Sequence, residues 1–189
     1  MVSVIATNII SPLGITTEEN YRAVMAGRSA LKRYLPGEAF GLPEPFAASL
    51  FSEEQRKELA LEGYTFFEAL AIRSIRTALT YTSLGNDFSR IILILSTTKG
   101  NIEESPAKAA QRIAEAIGLT TKPIVVCNAC VSGLSAQLLA NHLAVTPALL
   151  VGISCKDYRG SCFAWVKSVA LNVERSARLF RNSLQGLEP

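Results

Sequence analysis

The chain changes from a strand pattern to a helix pattern within the stretch PIVVCNACVSG, residues 123–133. Its first five residues are apolar and mostly β-branched, whereas residues 135–145 are rich in Leu and Ala. Cys130 stands where the pattern changes, so we predict that its thiol lies at the N-terminus of a helix. Backbone N–H groups there favour a thiolate over a thiol and can hold an oxyanion. Cys130 is therefore predicted to be a nucleophile, and Gly133 to allow a substrate or another chain to approach closely.

Composition indicates a globular protein with one sizeable core. The chain has 189 residues, of which 49% are hydrophobic and 19% are charged, too few charges for disorder through self-repulsion. The net charge of +3 comes entirely from residues 154–189, which hold six basic and three acidic side chains. The rest of the chain is balanced and offers no basic field for a phosphate backbone. We therefore expect no nucleic-acid partner.

The cellular compartment is predicted from the first residues, from the length of the apolar runs and from the spacing of the cysteines. The first residues carry no basic segment, and no apolar run reaches the ~18 residues that span a bilayer. We expect a cytoplasmic protein without a membrane span. The four cysteines, at positions 127, 130, 155 and 162, do not have the spacing of a disulfide scaffold, so reduced thiols are predicted.

Local signals in the first half predict a strand, an irregular excursion and three helices. Residues 2–6 form the strand, and Thr17 caps a helix that ends before Gly27. Pro and Gly residues across 29–50 indicate little regular structure. A capping box at Ser52 opens a helix that ends near Gly63, and residues 66–79 form a helix. Its predicted buried stripe consists of Phe67, Leu70, Ala71, Ser74 and Ala78.

The second half alternates strands and helices. Residues 91–95 and 148–152 are continuous apolar runs typical of strands buried on both faces. Between them lie a helix over 106–117 that Gly118 ends, the strand before Cys130, and the helix after it. We therefore predict an α/β fold with a mostly parallel sheet between helix layers. Ligand sites in such folds lie at the carboxyl ends of the strands, where Cys130 is placed.

Beyond Ile153 the character of the sequence changes. The single Trp, two cysteines and the excess of basic residues follow, without a neat strand period. A spacing of three to four among apolar residues predicts a basic helix over residues 164–184. We therefore divide the chain into a domain of residues 1–153 and a divergent basic tail of residues 154–189, partly helical.

In this order, the pieces resemble the N-terminal half of a β-ketoacyl synthase, a condensing enzyme of the thiolase-like fold. The motifs that carry the resemblance are SPLG at 11–14, YRAVMAGRS at 21–29, LSTTKG at 95–100, NACVSG at 128–133 and ALLVG at 148–152. The resemblance covers about residues 2–153, and Cys130 falls on the nucleophile of the family. It implies a thiolase-like half-fold for this chain.

The resemblance also implies a reaction and partners. The cysteine takes an acyl group from an acyl carrier protein thioester and joins it to a carbanion formed by decarboxylation of a malonyl thioester, as in fatty acid or polyketide synthesis. No cofactor or metal is implied. Family members form dimers by pairing the strand before the cysteine, here residues 122–127, so we expect a homodimer or a heterodimer with another synthase subunit. An isolated half would also expose an apolar face that a partner normally covers.

The chain departs from the family in its missing catalytic groups. Members also use two histidines and a second oxyanion donor, and this chain stops at about half the customary length. His142, the single histidine, lies twelve residues beyond Cys130, roughly 18 Å along one helix, and is interpreted as a structural residue. We expect an incomplete condensing enzyme that accepts an acyl group at most. The alternative is a non-catalytic truncated remnant or accessory subunit, and a shifted reading frame after Ile153 would explain the tail.

Three other interpretations have weaker support. Cys127 and Cys130 form a C-x-x-C pair, which also occurs in thiol redox proteins, although Cys127 is expected to pack inside the strand. With Cys155 and Cys162 a four-cysteine zinc site is conceivable, but only one C-x-x-C half is present. Residues 96–100 lack the first Gly and the order of a phosphate-binding loop, so a loop at the acyl site or the dimer contact is preferred.

Overall fold

The computed structural model describes residues 2–82, 88–89, 91–97, 104–143, 148–158 and 161–173, and the last two ranges are described as backbone. The helices in these ranges are α1 Thr17–Met25, α2 Glu53–Leu59, α3 Phe66–Thr80, α4 Pro106–Ala116 and α5 Ser132–His142. The strands are β1 Val2–Ile10, β2 Leu31–Tyr34, β3 Phe46–Ser49, β4 Ile92–Thr97, β5 Ile124–Val126, β6 Ala148–Tyr158 and β7 Ser161–Val173. Across these ranges, no helix combines the length and apolar character needed to cross a membrane.

Five strands form one mixed sheet in the order β1-β7-β6-β4-β5. β4 pairs in parallel with both β5 and β6, whereas β7 pairs antiparallel with β6 and β1. β1 therefore runs in the same direction as β4, β5 and β6, and β7 runs opposite to these four. The predicted mostly parallel sheet is confirmed.

Helices cover both faces of this sheet. Leu93 and Leu95 of β4 lie in a large core with α3 and α4, whereas Ile94 of the same strand packs under α5 against Ala136 and Ala140. Alternate residues of β4 thus enter opposite cores, as the two-residue period of a strand requires. The predicted α/β fold with helix layers on both faces is confirmed, as is the buried stripe of α3.

The turn after β1 is organised by the side chain of Asn20, which is 8% exposed. Its amide nitrogen donates to the carbonyl oxygens of Ile9 at 3.0 Å, Gly14 at 2.9 Å and Thr16 at 2.8 Å, and its oxygen accepts from the Ser11 hydroxyl. One buried side chain therefore satisfies the backbone of the turn that leads into α1.

Three sequence predictions in this part of the chain need correction. Thr16, not Thr17, caps α1 by accepting from the N–H of Glu19, because Thr16 has extended backbone while Thr17 is already helical. Residues 29–50 contain the β2–β3 antiparallel ribbon, which their Pro and Gly content obscures. The capping box at Ser52 is confirmed, but α2 ends at Leu59 rather than near Gly63.

The predicted helix over residues 164–184 is wrong for its first part, because residues 164–173 belong to β7; residues 174–184 lie outside the described residues. β6 also continues five residues beyond Ile153 and pairs with β7 over its whole length. Over residues 154–158 and 161–173, the backbone of the predicted tail therefore extends the sheet rather than leaving it. The division of the sequence into a synthase-like domain and a divergent tail stays a prediction.

We expect Asn20→Ala to lower the free energy of unfolding by about 2 kcal/mol, because it removes the buried side-chain donor to three carbonyl oxygens, of which those of Gly14 and Thr16 keep one backbone donor each. The measurement is urea unfolding followed by circular dichroism. Tyr21→Ala is the matched control, since the neighbouring side chain is 60% exposed and should change stability by less than about 0.5 kcal/mol. Equal effects of the two substitutions would contradict this account of the turn.

Candidate active site

Cys130 lies at the junction between β5 and α5. β5 ends at Val126, a 3₁₀ turn covers Ala129–Val131, and α5 begins at Ser132. β5 is an edge strand and runs parallel to β4, so this junction lies at the carboxyl edge of the sheet. The strand-to-helix change predicted from residues 123–133 is confirmed, although the helix begins three residues before the Leu- and Ala-rich segment.

The backbone of the junction is strained just before the cysteine. Ala129 has φ +45°, in the left-handed region that L-residues other than Gly, Asn and Asp seldom adopt. The N–H of Val131 donates to the carbonyl of Asn128 at 3.1 Å and closes the turn. A left-handed alanine persists only where surrounding contacts hold it, and such residues cluster at functional sites.

Ser132 supplies those contacts, and sequence analysis gave it no role. Its side chain accepts from the Asn128 N–H at 2.8 Å and lies 2.7 Å from the carbonyl oxygen of Ala129 and 3.3 Å from that of Thr97. Thr97 ends β4, so the hydroxyl also connects the turn to the neighbouring strand. The signal in the sequence was a serine at the start of a helix, where this residue type caps backbone groups.

Both cysteines of the junction are exposed thiols, and neither forms a disulfide. Cys130 is thus accessible to a reagent or substrate, as a nucleophile must be. The expectation that Cys127 packs inside the strand is wrong, because β5 ends one residue earlier. Cys155 and Cys162 lie on β6 and β7, where only the backbone is described. Among the side chains that are described, no cluster of His, Cys, Asp or Glu could hold a metal ion.

The surroundings of Cys130 are open and apolar. A Cβ added at Gly133 would meet no atom within 4 Å, so the space that this glycine was predicted to leave is present. Val131, Leu134 and Leu138 are 49%, 59% and 53% exposed and form one stripe along α5, which carries no Asp, Glu, Lys or Arg. A helix with apolar residues on both sides is typical of one that a further surface covers.

The other predicted residues do not join the site. His142 ends α5 and is exposed, with its Nδ1 2.8 Å from the carbonyl oxygen of Leu138, which agrees with a structural interpretation. Ser96 and Thr97 are the buried last residues of β4 rather than part of a loop. Residues 98–100 lie outside the described residues.

Comparison with known proteins identifies the fold. No family model matches the sequence, and no curated protein matches it either. Among solved structures, the ketosynthase from module 6 of the bacillaene synthase of Bacillus subtilis 168 aligns with a TM-score of 0.72 at 13% identity over 95% of this chain. The ishigamide ketosynthase/chain length factor gives 0.71 at 16% identity over 93%. A β-ketoacyl synthase from Burkholderia phymatum STM815 gives 0.66 at 14% identity over 95%.

The chain therefore has the ketosynthase fold, and its resemblance to β-ketoacyl synthases is confirmed at that level. It spans 38%, 63% and 60% of the length of these three proteins, so it corresponds to a part of each. At such identities the likeness establishes the fold alone.

The strain at Ala129 predicts a specific order of stabilities. Ala129→Val should lower the free energy of unfolding by about 2 kcal/mol, because a β-branched side chain is disfavoured at positive φ. Ala129→Gly should not lower it, because Gly adopts this conformation without steric cost. Urea unfolding of the three proteins measures the order. A valine variant as stable as the wild type would contradict the left-handed conformation.

Proposed function

We propose that this chain is a β-ketoacyl synthase-like protein in which Cys130 accepts an acyl group from the thioester of an acyl carrier protein. The observation that carries the proposal is the exposed Cys130 thiol at a strained strand-to-helix junction, at the carboxyl edge of a ketosynthase fold. This is the edge at which α/β proteins bind their ligands. A cytoplasmic location accords with the proposed carrier.

The acyl transfer balances without a cofactor. The Cys130 thiolate attacks the carbonyl carbon of the thioester, a new C–S bond forms, and the carbonyl oxygen becomes an oxyanion. The backbone N–H of Cys130 is proposed to stabilise that oxyanion, whereas the N–H groups of Val131 and Ser132 already donate to the carbonyls of Asn128 and Ala129. The intermediate then collapses, and the carrier thiolate leaves and takes up a proton. The acyl group remains on Cys130 as a thioester.

The second half of a condensation needs groups that we do not find on this chain. The sequence has one histidine, and its exposed position at the far end of α5 separates it from Cys130. We propose that decarboxylation of a malonyl thioester depends on a partner that supplies the histidines and a second oxyanion donor. The alternative is a non-catalytic accessory subunit. His142 lies away from Cys130, which favours that alternative. The chain also shares its fold with the ishigamide ketosynthase/chain length factor.

A dimer through β5 is the proposed assembly. β5 is a three-residue edge strand whose residues are all half-buried, so its outer edge is open to pairing with a second copy or with another synthase subunit. A short turn connects β5 to α5, and the exposed stripe of Val131, Leu134 and Leu138 begins in that turn and continues along α5. Association along this side would bury apolar surface that is costly to leave in water.

Acyl transfer is tested with a short-chain acyl thioester of N-acetylcysteamine, followed by intact-mass and peptide mass spectrometry. The wild type should gain one acyl group on Cys130. Cys130→Ala should lose it, because the attacking atom is gone. Cys127→Ala is the matched control, since it removes an exposed thiol three residues away and should leave the transfer within about twofold of the wild type.

Other outcomes of the same experiment support the alternatives. Acylation spread evenly over the cysteines, or absent from Cys130, would favour a non-catalytic subunit. A Cys127–Cys130 disulfide that forms under mild oxidation and blocks acylation in the wild type, while Cys127→Ala stays reactive, would favour a thiol redox protein.

The exposed stripe of α5 predicts self-association. Sedimentation equilibrium should give a mass near twice the 20.4 kDa of one chain. Replacing Leu134 and Leu138 together by Gln should weaken the dimer at least about tenfold, because it removes apolar area from the interface. Tyr81→Gln is the control, since Tyr81 is 66% exposed at the end of α3 and should not change the mass. A monomeric wild type would refute the homodimer and leave pairing with another synthase subunit as the proposed assembly.

A further inference from the structure

We propose that Ser132 is the positioning residue for Cys130. The inference rests on the proposed role of Cys130 as acyl acceptor and adds the group that holds it in place. Ser132 is 4% exposed in the first turn of α5, so its hydroxyl is removed from water and must be satisfied by the protein.

The hydroxyl of Ser132 is bonded on both sides of its oxygen. It accepts from the N–H of Asn128 at 2.8 Å, and its single proton is shared between two carbonyl acceptors, that of Ala129 at 2.7 Å and that of Thr97 at 3.3 Å. The backbone N–H of Ser132 also donates to the Ala129 carbonyl. These bonds join Asn128 and Ala129 to Ser132. The backbone of Cys130 lies within the ring of hydrogen-bonded residues that they close.

A second acceptor ties this ring to the sheet. The carbonyl oxygen of Thr97 lies 3.3 Å from the Ser132 oxygen, at the carboxyl end of β4. β4 is the strand whose alternate residues fill both cores, so it is a rigid support. Ser132 thereby fixes the position of the Cys130 backbone relative to β4, at the carboxyl edge of the sheet.

The same contacts hold the left-handed conformation of Ala129. Without the hydroxyl, the left-handed Ala129 (φ +45°) would be held less firmly, because its carbonyl would keep only the backbone N–H of residue 132 and the N–H of Asn128 would lose its acceptor. Relaxation one residue before Cys130 would change the direction of its thiol and of its backbone N–H. Ser132 therefore acts on the reaction through the placement of Cys130 and does not itself touch the acyl group. A misplacement of this kind reduces rate because productive attack requires an aligned geometry.

The test compares the reactivity of the two exposed thiols within one protein. Wild-type chain is treated with limiting iodoacetamide at neutral pH, and peptide mass spectrometry gives the ratio of modified Cys130 to modified Cys127. The wild type should favour Cys130, and Ser132→Ala should reduce the ratio about tenfold, the effect of losing roughly one net hydrogen bond. Transfer from the acyl thioester should fall by a similar factor.

Three variants separate positioning from stability. Ser132→Thr keeps the hydroxyl and should retain the ratio to within about threefold of the wild type. Ser132→Val has nearly the same shape as the threonine variant but lacks the hydroxyl, and should not retain the ratio. This pair also decides the question if Ser132→Ala fails to fold. Ser105→Ala removes a serine that caps α4 by accepting from the N–H of Lys108, on the opposite face of the sheet. It should lower thermal stability and leave the ratio unchanged.

The outcomes distinguish this inference from the proposed function. If the wild type shows no preference for Cys130, the acyl-acceptor proposal fails and the role of Ser132 fails with it. If the wild type prefers Cys130 and Ser132→Ala, Ser132→Val and Ser132→Thr all keep that preference, the acyl-acceptor proposal stands and the role of Ser132 is refuted. A loss of preference in both Thr and Val variants would also refute it, because the hydroxyl would then not be the group that matters.

Discussion

The burial of β4 between two helix layers is the constraint on which the rest of the structure depends. Leu93 and Leu95 on one side and Ile94 on the other are fully buried, so the strand cannot shift its register by one residue without exposing a core face. Its backbone pairs in parallel with β5 and β6 at the same time. Parallel pairing brings the carboxyl ends of these strands to one edge, and that is how a buried apolar run fixes the position of Cys130.

A rigid strand is needed because the junction beside it is strained. The left-handed Ala129 is costly, and its carbonyl is held by the N–H and the hydroxyl of Ser132, whose oxygen also lies close to the end of β4. The exposed cysteine follows this residue directly. The well-packed core around β4 thus supports an unfavourable backbone conformation next to Cys130, the exposed thiol that is proposed to act as the nucleophile.

The sequence predicts the features that local physics determines and misses those that tertiary pairing decides. The central strands and the stripe of α3 follow from apolar periodicity, and the capping box at Ser52 from side chains that reach their own helix. β7 was mistaken for a helix because its apolar residues at 166, 169 and 173 fit a helical spacing, whereas the alternation of 163, 165, 169, 171 and 173 fits a strand. Pairing with β1 and β6 decides between the two periods. Ser132 was missed although its contacts with Asn128 and Ala129 are local, and only its approach to Thr97 depends on tertiary structure.

The geometry of α5 bears on the proposal that this chain accepts an acyl group without completing a condensation. α5 is continuous over Ser132–His142, so Cys130 in the turn before the helix and His142 at its last residue are held apart by the length of the helix. Acyl transfer needs a nucleophilic sulfur and an oxyanion donor, and both are proposed to lie at the junction. Decarboxylation needs additional donors beside the acylated sulfur, and the open, apolar side of α5 is where they would have to be brought. A surface that covers the stripe of Val131, Leu134 and Leu138 would therefore bury exposed apolar area and approach the nucleophile in the same step. Because both effects arise from one contact, the assembly state and the chemistry of this chain are expected to be coupled.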